Sequence, residues 1–168
     1  LHGSISAIGG NSAAGGDQGL GGRITLGKDP ASDARDFDQD IITLETDVLL
    51  TTGNTGGDVV VYSPVDSDDT PRSLSVTAGT GDVLFDQILG ATSALSSLVV
   101  NSSSRTDIER NVTTNSSDGV EVNANTVRLG DDGETNGDGA MTVNTLAGNG
   151  TVDFNASTVY LDDAVTFT

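Results

Sequence analysis

The sequence predicts an all-β chain built as a stacked, repetitive β-solenoid, and three observations carry that expectation. The first is a phrase that occurs twice. Residues 120–129 read V-E-V-N-A-N-T-V-R-L and residues 152–161 read V-D-F-N-A-S-T-V-Y-L, so that six of the ten positions are identical at one fixed offset. Self-similarity on this scale is the signature of stacked architectures. The second is composition. Gly supplies 22 of 168 residues, aromatics are only 4%, and Thr, Ser, Asn and Asp fill most polar positions. These residues favour turns, and Thr also favours strands. The third is a long series of short alternating segments bounded by Gly, Asp and Asn.

Each element follows from that pattern. Residues 1–40 read as a Gly- and Asp-rich N-terminal region, with short strands over 4–8 and 23–26 and a polar surface loop over 27–40. Residues 41–168 read as the repeats, the whole forming a single domain. Strands are expected at 41–44, 48–51, 58–62, 74–77, 83–85, 98–101, 120–123, 126–129, 141–146, 152–155, 158–161 and 165–167. Residues 102–118 are polar around isolated Ile108 and Val112, and read as a weak outer strand or an extruded loop.

Within the repeated phrase, Val120, Val122 and Ala124 share one strand face, as do Val152, Phe154 and Ala156. Polar residues interrupt, and Val127 and Leu129, or Val159 and Leu161, resume the apolar face. That is two short strands turning a corner around a thin aliphatic core, as in one rung of a β-helix. Looser copies begin at positions 42 and 74, which repeats the offset between positions 120 and 152. At roughly 20–30 residues per rung, the chain builds about six to eight rungs. The alternative architecture is a β-sandwich of the pilin-like kind, polymerising by strand exchange.

Charge narrows the function. The formal net charge is −18, carried mostly by Asp, with a single Lys. Phosphate binding needs clustered Lys and Arg, so nucleic acid and anionic membranes are poor partners. No apolar run approaches the roughly 20 residues of a membrane span, so no membrane insertion is expected. The absence of Cys removes thiol chemistry and disulfides. The chain opens on Leu1 rather than Met, which reads as a processed product or a segment of something larger.

Catalytic and cofactor-binding constellations are not found. The only histidine is His2, so nucleophile-plus-imidazole chemistry is effectively excluded. Gly27-Lys28-Asp29 lacks the frame of a phosphate-cradling loop, and Gly19-Leu20-Gly21-Gly22 does not complete a dinucleotide fingerprint. Calcium is the one cofactor for which candidates exist. Asp132, Glu134, Asn136 and Asp138 approximate an oxygen-rich cation loop, although the distal Glu position falls on Val143. Asp36, Asp38 and Asp40, and Asp66, Asp68 and Asp69, also cluster carboxylates. Asn-x-Ser/Thr acceptors at Asn101, Asn111 and Asn115 fall in the polar 101–117 stretch, the best place for glycosylation.

Residues 47–104 contain D-V-L-L-T-T-G-N-T-G-G-D-V-V-V-Y, L-S-V-T-A-G-T-G-D-V-L-F-D-Q-I-L-G and L-S-S-L-V-V-N-S-S. This stretch resembles the repeats of giant bacterial exoproteins of the filamentous-haemagglutinin-like and autotransporter-like kind. The likeness rests on Leu74, Val76, Ala78, Gly79, Gly81, Asp82, Val83, Phe85, Gly90, Leu95, Ser97, Leu98 and Val100. Residues 119–168 match more loosely, and residues 1–40 hardly at all. The resemblance implies a right-handed parallel β-helix, secretion, and a surface role in adhesion, biofilm or filament building.

A solenoid leaves unpaired strand edges at its ends unless they are capped, and no cap is evident in the sequence. The expectation is therefore a non-enzymatic, extracellular building block of a surface filament or adhesin. Its partners are copies of itself, joined through open β-edges, with surface glycans as further possible ligands. The alternative is a carbohydrate-binding or carbohydrate-cleaving β-helix domain.

Overall fold

A computed structural model describes residues 1, 3, 5–6, 22–27, 41–54, 56–130, 140–146 and 150–168. The described chain is all β, without a helix. Its strands are β1 (Ile5–Ser6), β2 (Ile24–Leu26), β3 (Ile42–Leu44), β4 (Val48–Thr51), β5 (Val59–Val61), β6 (Val65–Ser67), β7 (Leu74–Gly79), β8 (Val83–Phe85), β9 (Leu98–Ser102), β10 (Arg105–Ile108), β11 (Val112–Thr114), β12 (Val120–Leu129), β13 (Ala140–Thr145), β14 (Val152–Leu161) and β15 (Ala164–Phe167).

Every pairing between these strands is parallel. A 10-stranded sheet runs β1-β4-β7-β9-β12-β10-β8-β5-β2, with β14 added on β12, and curls until it is nearly closed. Smaller sheets, β3-β6 and β11-β13-β15, form the remaining wall. Single bridges through Leu89 connect the two, from Val65 to Leu89 and from Leu89 to Val112. The chain thus makes six successive passes around one core, each stacked in parallel on the one before.

The core consists of columns of like residues. Leu50, Val76, Val100, Val122 and Phe154 stand in register on one side. Val61, Phe85, Ile108, Leu129 and Leu161 do so on the next. On the third wall the column is Val65, Leu89, Val112, Val143 and Phe167. Aliphatic residues dominate because each column has the width of one side chain, and Phe85 is the largest that is fully buried. Burying such a side chain contributes about 1.5–3 kcal/mol, so stability is spread along the stack rather than concentrated in one layer.

The repeated phrase stacks on itself as the sequence implies. Val120 pairs with Val152, Asn123 with Asn155, and Leu129 with Leu161, so the sequence offset is also the structural register. Val120, Val122, Ala124, Val127 and Leu129 are all buried. The corner lies at Asn125 and Thr126, where the burial alternation slips by one position. Residues up to Asn123 pair with β9 and residues from Thr126 with β10, so one strand serves both faces.

Two expectations are corrected. The looser likeness that sets position 42 against position 74 is not a stacking register. Leu74 pairs with Val48, and Ile42 pairs with Val65 on a different wall. Passes vary in length because their loops do, while the columns stay aligned. Residues 102–118 are not an outer strand or a loop. They hold β10 and β11, two core strands with Thr106, Ile108, Val112 and Thr114 pointing inward. Inward threonine makes these strands look polar. β1 and β2, from the N-terminal region, belong to the same large sheet as the strands after residue 41.

Candidate functional site

The first corner of the stack is built from the repeated Gly-Asp-Val of residues 57–59 and 81–83. Asp58 Oδ1 accepts a hydrogen bond from the Asp82 N–H at 3.0 Å, and Asp82 Oδ1 accepts one from the Arg105 N–H at 3.1 Å. Each carboxylate thereby ties its pass to the next. Gly81 precedes this aspartate because its Cα faces the Gly57 carbonyl with no room for a Cβ. Acidic residues at these positions are structural staples.

Other acidic clusters resolve in the same way. Asp66 is buried, and its carboxylate accepts from the Thr92 N–H at 3.2 and 3.3 Å. Asp68 pairs with Arg72 through two hydrogen bonds of 2.9 and 2.8 Å and also accepts from the Thr70 N–H. The Arg72 guanidinium, then the Thr70 amide, hold the Asp68 carboxyl below its ordinary value, and Asp68 raises the Arg72 guanidinium in turn. Among the described residues, no three acidic or histidine side chains converge as a metal site would require. Asp132, Glu134, Asn136 and Asp138, the Asp36–Asp38–Asp40 cluster, Lys28 and His2 lie outside the described residues.

The three glycosylation candidates have different surroundings. Asn111 Oδ1 accepts from the Thr142 N–H at 2.7 Å, joining β11 to β13. Asn115 is exposed in the loop after β11. Asn101 belongs to an outward column, with Asn123 donating to it at 3.0 Å and Asn155 donating to Asn123 at 2.8 Å. Stacking of the repeated phrase already implied an asparagine ladder through Asn123 and Asn155, and the structure extends it to Asn101, one of the glycan-acceptor candidates. The register of the two repeated phrases, which sets Asn155 on Asn123, was the signal that held it.

The surface most open to a partner is the last pass. Val127, Leu129 and Val143 are sealed, but their column partners Val159, Leu161 and Phe167 are 41%, 57% and 48% exposed. Phe154 and Phe167 lean together across the end of the core, with ring centroids 6.1 Å apart. Tyr160 faces outward beside Arg128, whose guanidinium carbon is 6.0 Å from the ring centroid, and Arg128 Nε donates to Asp162 Oδ2 at 2.9 Å. The outer edges of β14 and β15 pair with no strand among the described residues. The first pass differs: Ile24, in the same column as Val159, is only 4% exposed.

Comparison of the chain with protein-family models, with curated proteins and with solved structures gives no match.

Proposed function

We propose that the chain is a right-handed parallel β-helix of six rungs and a non-enzymatic building block of a secreted, cell-surface filament or adhesin. Copies join through the open last pass. Right-handedness rests on the general preference of parallel crossovers. The resemblance of residues 47–104 to bacterial exoprotein repeats points toward the same role.

The observation that carries the reading is the open end, with Val159, Leu161 and Phe167 uncovered beside two unpaired strand edges. Unpaired edges template further strands. The first pass supplies matching columns. Following the registers, a second copy stacked in phase places Ile5 over Phe154, Ile24 over Val159, Leu26 over Leu161 and Ile42 over Phe167. Ser6 then stands over Asn155, whose Oδ1 is the acceptor end of the amide column.

Light scattering and electron microscopy across protein concentration and salt test this. The charge of −18 opposes association, and raising salt from 0.1 to 1 M shortens the screening length from about 10 to about 3 Å. Assembly is expected to grow with both variables, giving fibres with a strand repeat of about 4.8 Å along the axis. Val159→Lys with Leu161→Lys is expected to abolish it while leaving the folded spectrum intact, since both side chains are exposed. A chain that stays monomeric in concentrated solution at high salt overturns the proposal, as does a double variant that assembles like the parent.

A further inference from the structure

The repeated phrase defines what the edge of β14 can accept. β14 lies on β12 in one parallel register, from Val120–Val152 to Leu129–Leu161. Val127 and Leu129 are fully buried beneath it, whereas Val159 and Leu161, the same positions one pass later, are exposed. Near-identical strands stack best in register on themselves. The strand that covers β14 is therefore a third copy of the phrase, with apolar residues over Val152, Phe154, Val159 and Leu161 and Ala over Ala156. The amide column sets the polar contact. Asn155 donates to Asn123 Oδ1 at 2.8 Å, and among the described residues no donor reaches Asn155 Oδ1. An Asn in the added strand donates to it in the same direction.

Charge requires one departure from the phrase. Glu121 and Asp153 stand in register on the outer face, and like charges so opposed are destabilising. A third carboxylate there adds to the repulsion, whereas Lys or Arg neutralises Asp153. Further along, the Arg128 guanidinium carbon lies 6.0 Å from the Tyr160 ring centroid, and a cation placed over Tyr160 from the open side repeats that attraction. The net charge of −18 also steers a basic segment toward the chain.

An incoming copy covers this edge only in part. Stacked in phase, it brings two residues of β1 and three of β2 to the ten of β14. We infer that the edge of β14 binds an extended, basic strand donated by a partner protein. The strand lies parallel to β14 with the pattern apolar–Lys/Arg–apolar–Asn–Ala–x–Thr–Val–Lys/Arg–Leu. It pairs along the whole edge, displaces an incoming copy and so caps the stack. The inference rests on the open last pass of the proposed function, and not on growth by copies.

The test is a titration of the isotope-labelled full chain, at a concentration where light scattering shows monomer, with a peptide of residues 120–129 carrying Glu121→Lys. Saturable shifts are expected along residues 152–161 and at the Asn155 side-chain amide. The unaltered peptide is expected to bind about fivefold more weakly at 0.1 M salt, with the gap closing at 1 M, where the screening length falls to about 3 Å. Adding Asn123→Ala to the lysine peptide is expected to weaken it about threefold. Asp153 is exposed, so Asp153→Lys in the full chain leaves the fold intact and is expected to reverse the order of the lysine and unaltered peptides. Under assembly conditions the lysine peptide is expected to stop fibre growth. No saturable shift on β14, equal binding by a scrambled peptide, or a peptide order that Asp153→Lys leaves unchanged overturns the inference. A chain that never assembles yet binds the peptide supports the strand site and refutes growth by copies. A chain that assembles yet binds no peptide refutes the strand site alone.

Discussion

Thr106→Val should make the protein more stable, although it removes a polar group from a strand that looks polar. Thr106 is fully buried, and among the described residues its hydroxyl has no hydrogen-bond partner. Its column neighbours are Val83 below and Val127 above, so the hydroxyl points into an aliphatic stack. Threonine and valine share the β-branched shape and a high strand propensity, which leaves the backbone term nearly unchanged. What changes is desolvation: a buried hydroxyl left unsatisfied costs about 1–3 kcal/mol. The variant should recover about 1–2 kcal/mol of this, and for a chain of this length each kcal/mol moves Tm by about 2–4 °C. Urea unfolding followed by circular dichroism measures it, with midpoints compared at equal slope because linear stacks can depart from two-state behaviour. Thr106→Ser provides the control. It keeps the hydroxyl and loses a methyl group, and should cost about 1 kcal/mol. A valine variant less stable than the parent would refute the reasoning, since it would mean that the hydroxyl satisfies something in the core.

Two further perturbations follow from particular contacts. Gly81→Ala drives a methyl group into the Gly57 carbonyl, backbone against backbone, so it should cost several kcal/mol, on the scale of severe packing lesions; an unchanged urea midpoint would exclude the close approach. The Asp68 carboxyl, held down chiefly by its hydrogen bonds from Arg72, should titrate below 3.8 by carbon NMR, and Arg72→Ala should return it toward that value. Because the folded value is the depressed one, the pair's stabilisation is present above pH 3.8 and fades as pH falls through the folded value. Both side chains are solvent-accessible, so the loss is small.

How much of this was legible in the sequence differs from one part to another. The β12–β14 register was written in full, because near-identical phrases with the same apolar pattern stack best on themselves. Val48–Thr51 and Val83–Phe85 were equally plain, since Asp and Gly bound short aliphatic runs there. β6, β10 and β11 were hidden. Ser67, Thr106 and Thr114 occupy inward positions, and a pattern that counts Thr and Ser as polar reads such strands as loop. The true registers on the first face were hidden too. Val48 stacks on Leu74, Leu74 on Leu98 and Leu98 on Val120, and these spacings drift with loop length while the eye seeks one period.

The two ends of the stack bear on how copies would meet. A pair joined last pass to last pass sets Asp153, Asp162 and Asp163 of β14 and its exit turn against the same residues of the other chain. Like charges directly opposed across paired strands are destabilising, and the chain already carries −18. Joining last pass to first pass avoids that opposition and sets aliphatic columns in line. Such a contact is heterologous: it uses a different surface on each partner, so it propagates instead of closing. Ile24 is buried and Ile5, Leu26 and Ile42 are half-buried, whereas Val159, Leu161 and Phe167 are exposed, so the two surfaces are unequal. If copies add at the open end, Ile24 of the incoming copy would have to be uncovered. On the proposed reading, that requirement would set a barrier to growth at the open end.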